Sequence, residues 1–165
     1  MKRSILTGWL CSLLALFGAC DFVAQRELRP GESTVEDVRK LMGKPETVWE
    51  EDDGRQVHEY VRGPEGTDTW MVEIGADGRY RGMANALAAA NLARVQPGMS
   101  RDDLRRLLGK PGDVAAFPAR NEVVWTWRVR GEMTTSEMFH AHLGPDGRVM
   151  RTSRTPDPRL INASG

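Results

Sequence analysis

The stretch Pro97-Gly-Met-Ser-Arg-Asp-Asp-Leu-Arg-Arg-Leu-Leu-Gly-Lys-Pro111 has a near copy upstream, Pro30-Gly-Glu-Ser-Thr-Val-Glu-Asp-Val-Arg-Lys-Leu-Met-Gly-Lys-Pro45. Each copy specifies a short helix at both ends. Ser100 and Thr34 are placed to cap the first free N–H groups, and Asp103 and Asp37 follow three residues on, as in a capping box. Acids fill the first turn and bases come after them, which suits the helix dipole. Leu104, Leu107 and Leu108 share one face, matched by Val38, Leu41 and Met42. Gly109 and Gly43 supply the left-handed residue that ends a helix, and Pro111 and Pro45 prevent its continuation. Two such matches one small domain apart predict an internal duplication.

Beyond each helix the chain reads as strand. Residues 56–61 come after the turn signal Asp53-Gly54, and 47–49 can pair with them as a short extra strand. Residues 69–74 alternate, with Trp70, Val72 and Ile74 on one face, and Asp77-Gly78 predicts a two-residue hairpin turn of the primed type. The second copy repeats the pattern with Val123, Trp125, Trp127 and Val129, then Phe139, Ala141 and Leu143, then Asp146-Gly147. Residues 83–95 are rich in alanine and free of glycine and proline, so a helix is predicted there. The expected fold class is α+β: two tandem repeats, each two helices and an antiparallel three-stranded meander, over 20–83 and 84–152. Residues 1–19 read as a signal peptide, and the polar end from 153 to 165 reads as a disordered tail.

Composition sets bounds on function. Lysine plus arginine equals aspartate plus glutamate at 23 each in 165 residues, so no basic excess points to nucleic acid. Lys2 and Arg3 precede an apolar run, 5–19, that is short for a membrane span of about 20 residues. Leu16-Phe17-Gly18-Ala19-Cys20 resembles a bacterial lipobox, with Phe17 where an aliphatic residue is usual. Cys11 lies inside the apolar run, so Cys20 is the only cysteine expected in the mature chain and no internal disulfide can form. The expectation is a lipid on Cys20 and a membrane-anchored protein facing the periplasm. Outer-membrane placement is expected, with Asp21 leaving inner-membrane retention as the alternative.

The residues that usually carry chemistry do not converge. Gly43-Lys44 and Gly109-Lys110 come after a helix and precede proline, which reads as a helix stop and not as a phosphate loop. His140 and His142 alternate on a strand without a third metal ligand, and no serine or cysteine sits in a nucleophile elbow. No catalytic residue, cofactor or metal is expected. A surface remains: Arg128, Met138, His140 and His142 fall on the strand faces opposite the expected core. A solvated sheet face accounts for them; so does a docking face for a protein partner.

Val95-Gln96-Pro97-Gly98-Met99-Ser100, then Asp103-Leu104, Leu107-Leu108-Gly109, Pro111 and Trp125-Thr126-Trp127, resemble the SmpA/OmlA domain of BamE-type lipoproteins. That resemblance implies a two-helix, three-strand unit and a scaffold role in outer-membrane or envelope protein assembly, with an envelope protein as partner. The duplication is similar to that of β-lactamase inhibitory protein. It implies the alternative, an inhibitor or sensor binding a soluble periplasmic protein between its two repeats.

Overall fold

The computed structural model describes residues 20–63, 66–131 and 135–162, with side chains described from 24 to 160 within them. The expected signal peptide, 1–19, lies outside the described residues. In chain order the elements are α1 (Cys20–Glu27), α2 (Val35–Met42), β1 (Thr47–Glu50), β2 (Gln56–Arg62), β3 (Asp68–Ile74), β4 (Tyr80–Asn85) and α3 (Ala89–Leu92). Then come α4 (Arg101–Leu108), β5 (Asp113–Phe117), a 3-10 turn (Pro118–Arg120), β6 (Glu122–Arg130), β7 (Ser136–Leu143), β8 (Val149–Pro156) and α5 (Pro158–Asn162). The strands form two four-stranded antiparallel sheets, ordered β1-β2-β3-β4 and β5-β6-β7-β8.

This corrects the expected fold class. The protein is sheet-rich, and its units are not two helices on a three-stranded meander. Three differences account for the change. First, each sheet has a fourth strand: the short extra strand expected at 47–49 forms as β1, pairing Thr47 with Glu59, and β5, not expected, pairs Asp113 with Thr126. Second, the alanine-rich stretch is mostly not helix: 83–85 complete β4, where Met83 pairs with Val72, and only α3, a single turn, remains. Alanine's helical preference is worth tenths of a kcal/mol per residue. Against it, the Asn85 amide accepts from Thr69 N–H (3.2 Å) and Leu87 N–H (3.0 Å) and donates to Asp68 (2.7 Å), ending the strand and turning the chain. Third, the tail from 153 continues β8 to Pro156 and then forms α5, anchored by the buried Asp157.

The capped helices form where their boxes place them. Thr34 and Ser100 each accept from the N–H three residues on, and Asp37 and Asp103 return the bond. Both terminating glycines have positive φ but extended ψ: 76°, −155° at Gly43 and 78°, −167° at Gly109. That is not the left-handed helical cap expected, but a region open essentially to glycine alone. The turns into each helix also match. Gly31 N–H donates to Tyr80 O and Gly98 N–H to Val149 O, both at 2.8 Å, and Arg79 and Arg148 each reach back to a carbonyl of that turn. The hairpins differ from the primed turn predicted. Gly78 N–H bonds Gly75 O, Gly75 N–H bonds Arg79 O, and only Gly78 takes positive φ. The result is a type I turn closed by a glycine bulge, because the Asp77 carboxylate accepts from Arg79 N–H and holds the aspartate on the negative-φ side.

Each sheet buries one face under its own helices. Val38 and Met42 of α2, with Ala24 and Leu28 from the α1 segment, pack on Tyr60, Val72, Ile74 and Tyr80. The helix that follows Cys20 is thus part of the folded body: Ala24 is fully buried. In the second unit Leu104 and Leu108 of α4 pack on Trp127, Val129, Phe139, Ala141 and Leu143, while Leu107 is only half-buried. Trp127 contacts Trp125 edge-on at 6.1 Å and donates from Nε1 to Gly109 O at 3.2 Å, tying the end of α4 to its sheet.

Candidate functional site

The outer face of the first sheet, away from α1 and α2, is already a docking surface. Glu59 projects from the middle of β2 on that face and is completely buried. It accepts from Lys110 N–H at 2.6 Å and from both terminal nitrogens of Arg105 at 3.3 and 3.4 Å. Arg105 also stands over the Trp49 ring at 5.4 Å, Arg106 pairs with Glu51 at 2.6 Å, and Lys110 pairs with Glu46. Gly109 is closely enclosed: a Cβ there would lie 2.6 Å from Glu59 Oε1 and 2.7 Å from Thr69 Cγ2. The C-terminal end of α4 thus serves two sheets, its leucines on the second and its glycine and cations on the first. Farther along, Arg130 Nε reaches Asp68 at 3.0 Å and closes the seam from the side.

The outer face of the second sheet is the counterpart. Pairing of Tyr60 with Trp70 and of Trp127 with Phe139 sets the equivalence, so Thr126 occupies the place of Glu59, Met138 of Thr69, His140 of Met71 and His142 of Glu73. The four residues expected as a patch are therefore brought to one face, with Arg128 opposite Met138 and Thr126 opposite His140. They are not a loose set of solvated side chains. His140 Nδ1 meets Thr126 Oγ1 and its Nε2 meets Thr155 Oγ1, each at 2.9 Å. His142 Nδ1 bonds Glu122, and its Nε2 meets Ser153 Oγ at 2.8 Å. Arg128 Nε donates to Asp157 at 2.8 Å, and Ser136 donates to the same carboxylate at 2.6 Å. Rows of hydrogen bonds thus cross the sheet and fix its side chains.

The electrostatics arise from these contacts. Burial alone would raise the Glu122 carboxyl, but the hydrogen bond from His142, the charge of His142 and the guanidinium groups of Arg151 and Arg120 outweigh it and hold the pKa below the usual carboxylate range. The hydroxyl of Ser136, then the Arg159 N–H and Arg128, hold Asp157 down in the same way. Burial, and next the neighbouring His142, push His140 below the ordinary imidazole value. The imidazoles are bonded to hydroxyls and one carboxylate. Among the described residues no three His, Cys, Asp or Glu side chains are grouped to hold a metal ion.

Two ends of this face differ in access. At the Arg128–Met138 end, Asp157 and Arg159 lie across it and leave a cleft of about 380 Å³ lined also by Val61, Thr69, Lys110 and Thr126. At the other end Arg151, half-exposed while bonding Glu122 at 2.8 Å, and Phe117, 37 % exposed, stand open. Neither is marked by the sequence. Phe117 belongs to β5, whose residues show no apolar alternation, and Arg151 lies at the start of the segment whose strand continues past Thr152. The Cys20 side chain lies outside the described residues.

No protein-family model matches the chain, and no curated protein matches it. Among solved structures, a DUF4309 family protein (YjgB) from Bacillus subtilis is similar at 17% identity, covering 80% of this chain and 84% of that one, with a TM-score of 0.31. The likeness to the SmpA/OmlA domain, and to β-lactamase inhibitory protein with it, is thereby corrected. Neither family is found, and the four-stranded sheets depart from the unit that the motif implies. The shared Pro-Gly, capped helix and Gly-Lys-Pro run records a local solution, a helix specified at both ends, and such a solution does not determine a family.

Proposed function

We propose that this chain is a non-catalytic protein-binding module of the bacterial cell envelope, anchored by a lipid on Cys20 and facing the periplasm. The outer face of its second sheet receives a protein partner. One observation carries the reading: the same face of the first sheet already receives a packed helix end, with Glu59, Thr69 and Met71 as its floor. The equivalent floor in the second unit is Thr126, Met138 and His140, and its open rim carries Phe117 and Arg151. A rigid face whose polar groups are held before contact loses little freedom on binding, and aromatic and arginine residues at a rim suit protein recognition. Both ring nitrogens of His140 and of His142 are engaged within the face, by hydroxyls and by the Glu122 carboxylate, which fixes them as part of a rigid surface. The space between the two units is less suited to a whole protein, because the end of α4 fills it and the clefts left there are about 380 and 440 Å³.

A photo-crosslinking residue at Phe117, and for comparison one at Asp52 on the exposed turn of the first unit, tests the reading in intact cells. The expected result is a discrete adduct from position 117 and none from 52. Adducts of equal yield from both positions, or from neither, would overturn it.

A further inference from the structure

The duplication leaves a second vacancy, at the opposite end of the molecule. In the second helix Arg105, Arg106 and Lys110 stand where the first copy has Arg39, Lys40 and Lys44. The three cations of the second unit each meet a carboxylate of the first sheet: Glu59, Glu51 and Glu46. Their three counterparts form no ion pair and no side-chain hydrogen bond among the described residues, and all are exposed. Arg39 and Lys44 border an open groove of about 600 Å³ with Pro45, Thr47, Val48 and Glu46, whose carboxylate is already paired with Lys110. At its edge Gly43 has the terminating backbone of Gly109, but a Cβ there would meet nothing within 4 Å. One helix end is thus seated on a second sheet; its twin, whose Met42 carbonyl accepts from Arg62 of its own sheet, presents its cations to no such face among the described residues.

We infer that the end of α2 bearing Arg39, Lys40 and Lys44 docks a second protein through an acidic β-sheet face, in the manner that α4 docks on Glu59. The seam supplies the template: a carboxylate on a strand, taken by a guanidinium and by the N–H of the residue after the terminating glycine. A second copy of this chain does not fit. In its free sheet Gly112, Thr126 and Phe117 stand where the template has Glu46, Glu59 and Glu51, so the carboxylates are missing. Their absence blocks the head-to-tail chaining that an open interface would otherwise permit. The partner is therefore a different protein. This inference rests on α2, not on the outer face of the second sheet, so a failed crosslink at Phe117 leaves it standing.

The test uses the Cys20→Ser chain and two blocked peptides, acetyl-(Thr-Glu)6-amide and acetyl-(Thr-Gln)6-amide, whose alternation puts every Glu or Gln on one strand face. Three exposed ion pairs predict about tenfold tighter binding of the glutamate peptide at low salt, lost at about 0.5 M salt. Arg39→Ala/Lys44→Ala should abolish the difference while keeping the circular dichroism and melting temperature of the parent, since both side chains lie outside the core. In amide NMR the Lys44 resonance should move on titration, while that of Lys110, already bonded to Glu59, stays. Equal affinity for the two peptides, or full binding by the double variant, would overturn the inference. So would tighter Arg39- and Lys44-dependent binding to vesicles with anionic headgroups than to the glutamate peptide, which would assign these cations to a membrane surface.

Discussion

Gly43 and Gly109 offer a paired experiment on the seam. Both end a capped helix with φ near 77° and extended ψ, so alanine at either position meets the same backbone strain, about 1–3 kcal/mol. Their surroundings differ. A Cβ at 43 meets nothing within 4 Å, whereas one at 109 would lie 2.6 Å from Glu59 Oε1, 2.7 Å from Thr69 Cγ2 and 3.2 Å from Met71 Cε. The side chains behind these atoms are buried or half-buried, so they cannot swing into water. Overpacking of this kind costs about 1–3 kcal/mol in addition. For a chain of this size each kcal/mol lowers the melting temperature by roughly 2–4 °C, so Gly109→Ala should melt about 2–12 °C below Gly43→Ala. Thermal unfolding followed by circular dichroism reads the difference directly. Thr69→Ser removes the methyl nearest the new Cβ and should recover part of the loss in Gly109→Ala while doing nothing for Gly43→Ala. Equal melting of the two alanine variants, or no rescue by Thr69→Ser, would refute the packing of α4 against the first sheet.

Other consequences are as direct. Leu104→Ala should cost about 2–5 kcal/mol in urea unfolding and Leu107→Ala clearly less, because Leu104 is fully buried and Leu107 borders a groove. Asn85→Ala leaves Thr69 N–H and Leu87 N–H without their acceptor and should cost about 1–3 kcal/mol. Burial, and then the charge of Arg39, push the His58 pKa below its ordinary value. The unfolded chain therefore takes up the proton first, so stability is complete above about pH 6.5 and is lost as pH falls toward the folded value. A His58→Leu variant should lose part of that slope between about pH 7 and 5, and an unchanged slope would assign it to other groups, His140 among them. Cys20→Ser should move the protein from the membrane to the soluble fraction; retention in high salt would rule out the lipid anchor.

The parts of this fold that could be read from sequence are those whose cause is local. Thr34 and Asp37, or Ser100 and Asp103, lie three residues apart and decide a helix start between them. Trp70, Val72 and Ile74 announce a strand because alternate side chains meet one core. The missed elements depend on partners far away in the chain. β5 is an edge strand with little burial, so its pairing with β6 leaves no apolar period to read. Residues 83–85 look helical until Asn85 is seen to bond across to Asp68 and Thr69. The four patch residues could be placed on one face from alternation alone, but the hydrogen bonds that tie them to Glu122, Ser153, Thr155 and Asp157 come from other strands and from α5. Glu59 was the least legible. A charged residue in a strand reads as exposed, and only the docking of Arg105 and Lys110, 46 and 51 residues away, makes it the most buried carboxylate of the seam.

The packing of the α1 segment bears on how far this module can reach. Ala24 and Leu28 are sunk in the first core, at 0% and 6% exposure, and Cys20 is the first residue of the helix that carries Ala24. An eight-residue helix spans only about 12 Å. A protein moored at that cysteine has no leash. With the lipid proposed on Cys20, its body would ride on the bilayer surface with restricted tumbling, and a partner embedded in the same membrane would meet it by a search in two dimensions instead of three. A partner with its binding face far from the bilayer would have to come down to it. Lengthening the mooring with a flexible insert after Cys20 would cut the helix from its anchor, free the orientation and exchange that proximity for reach.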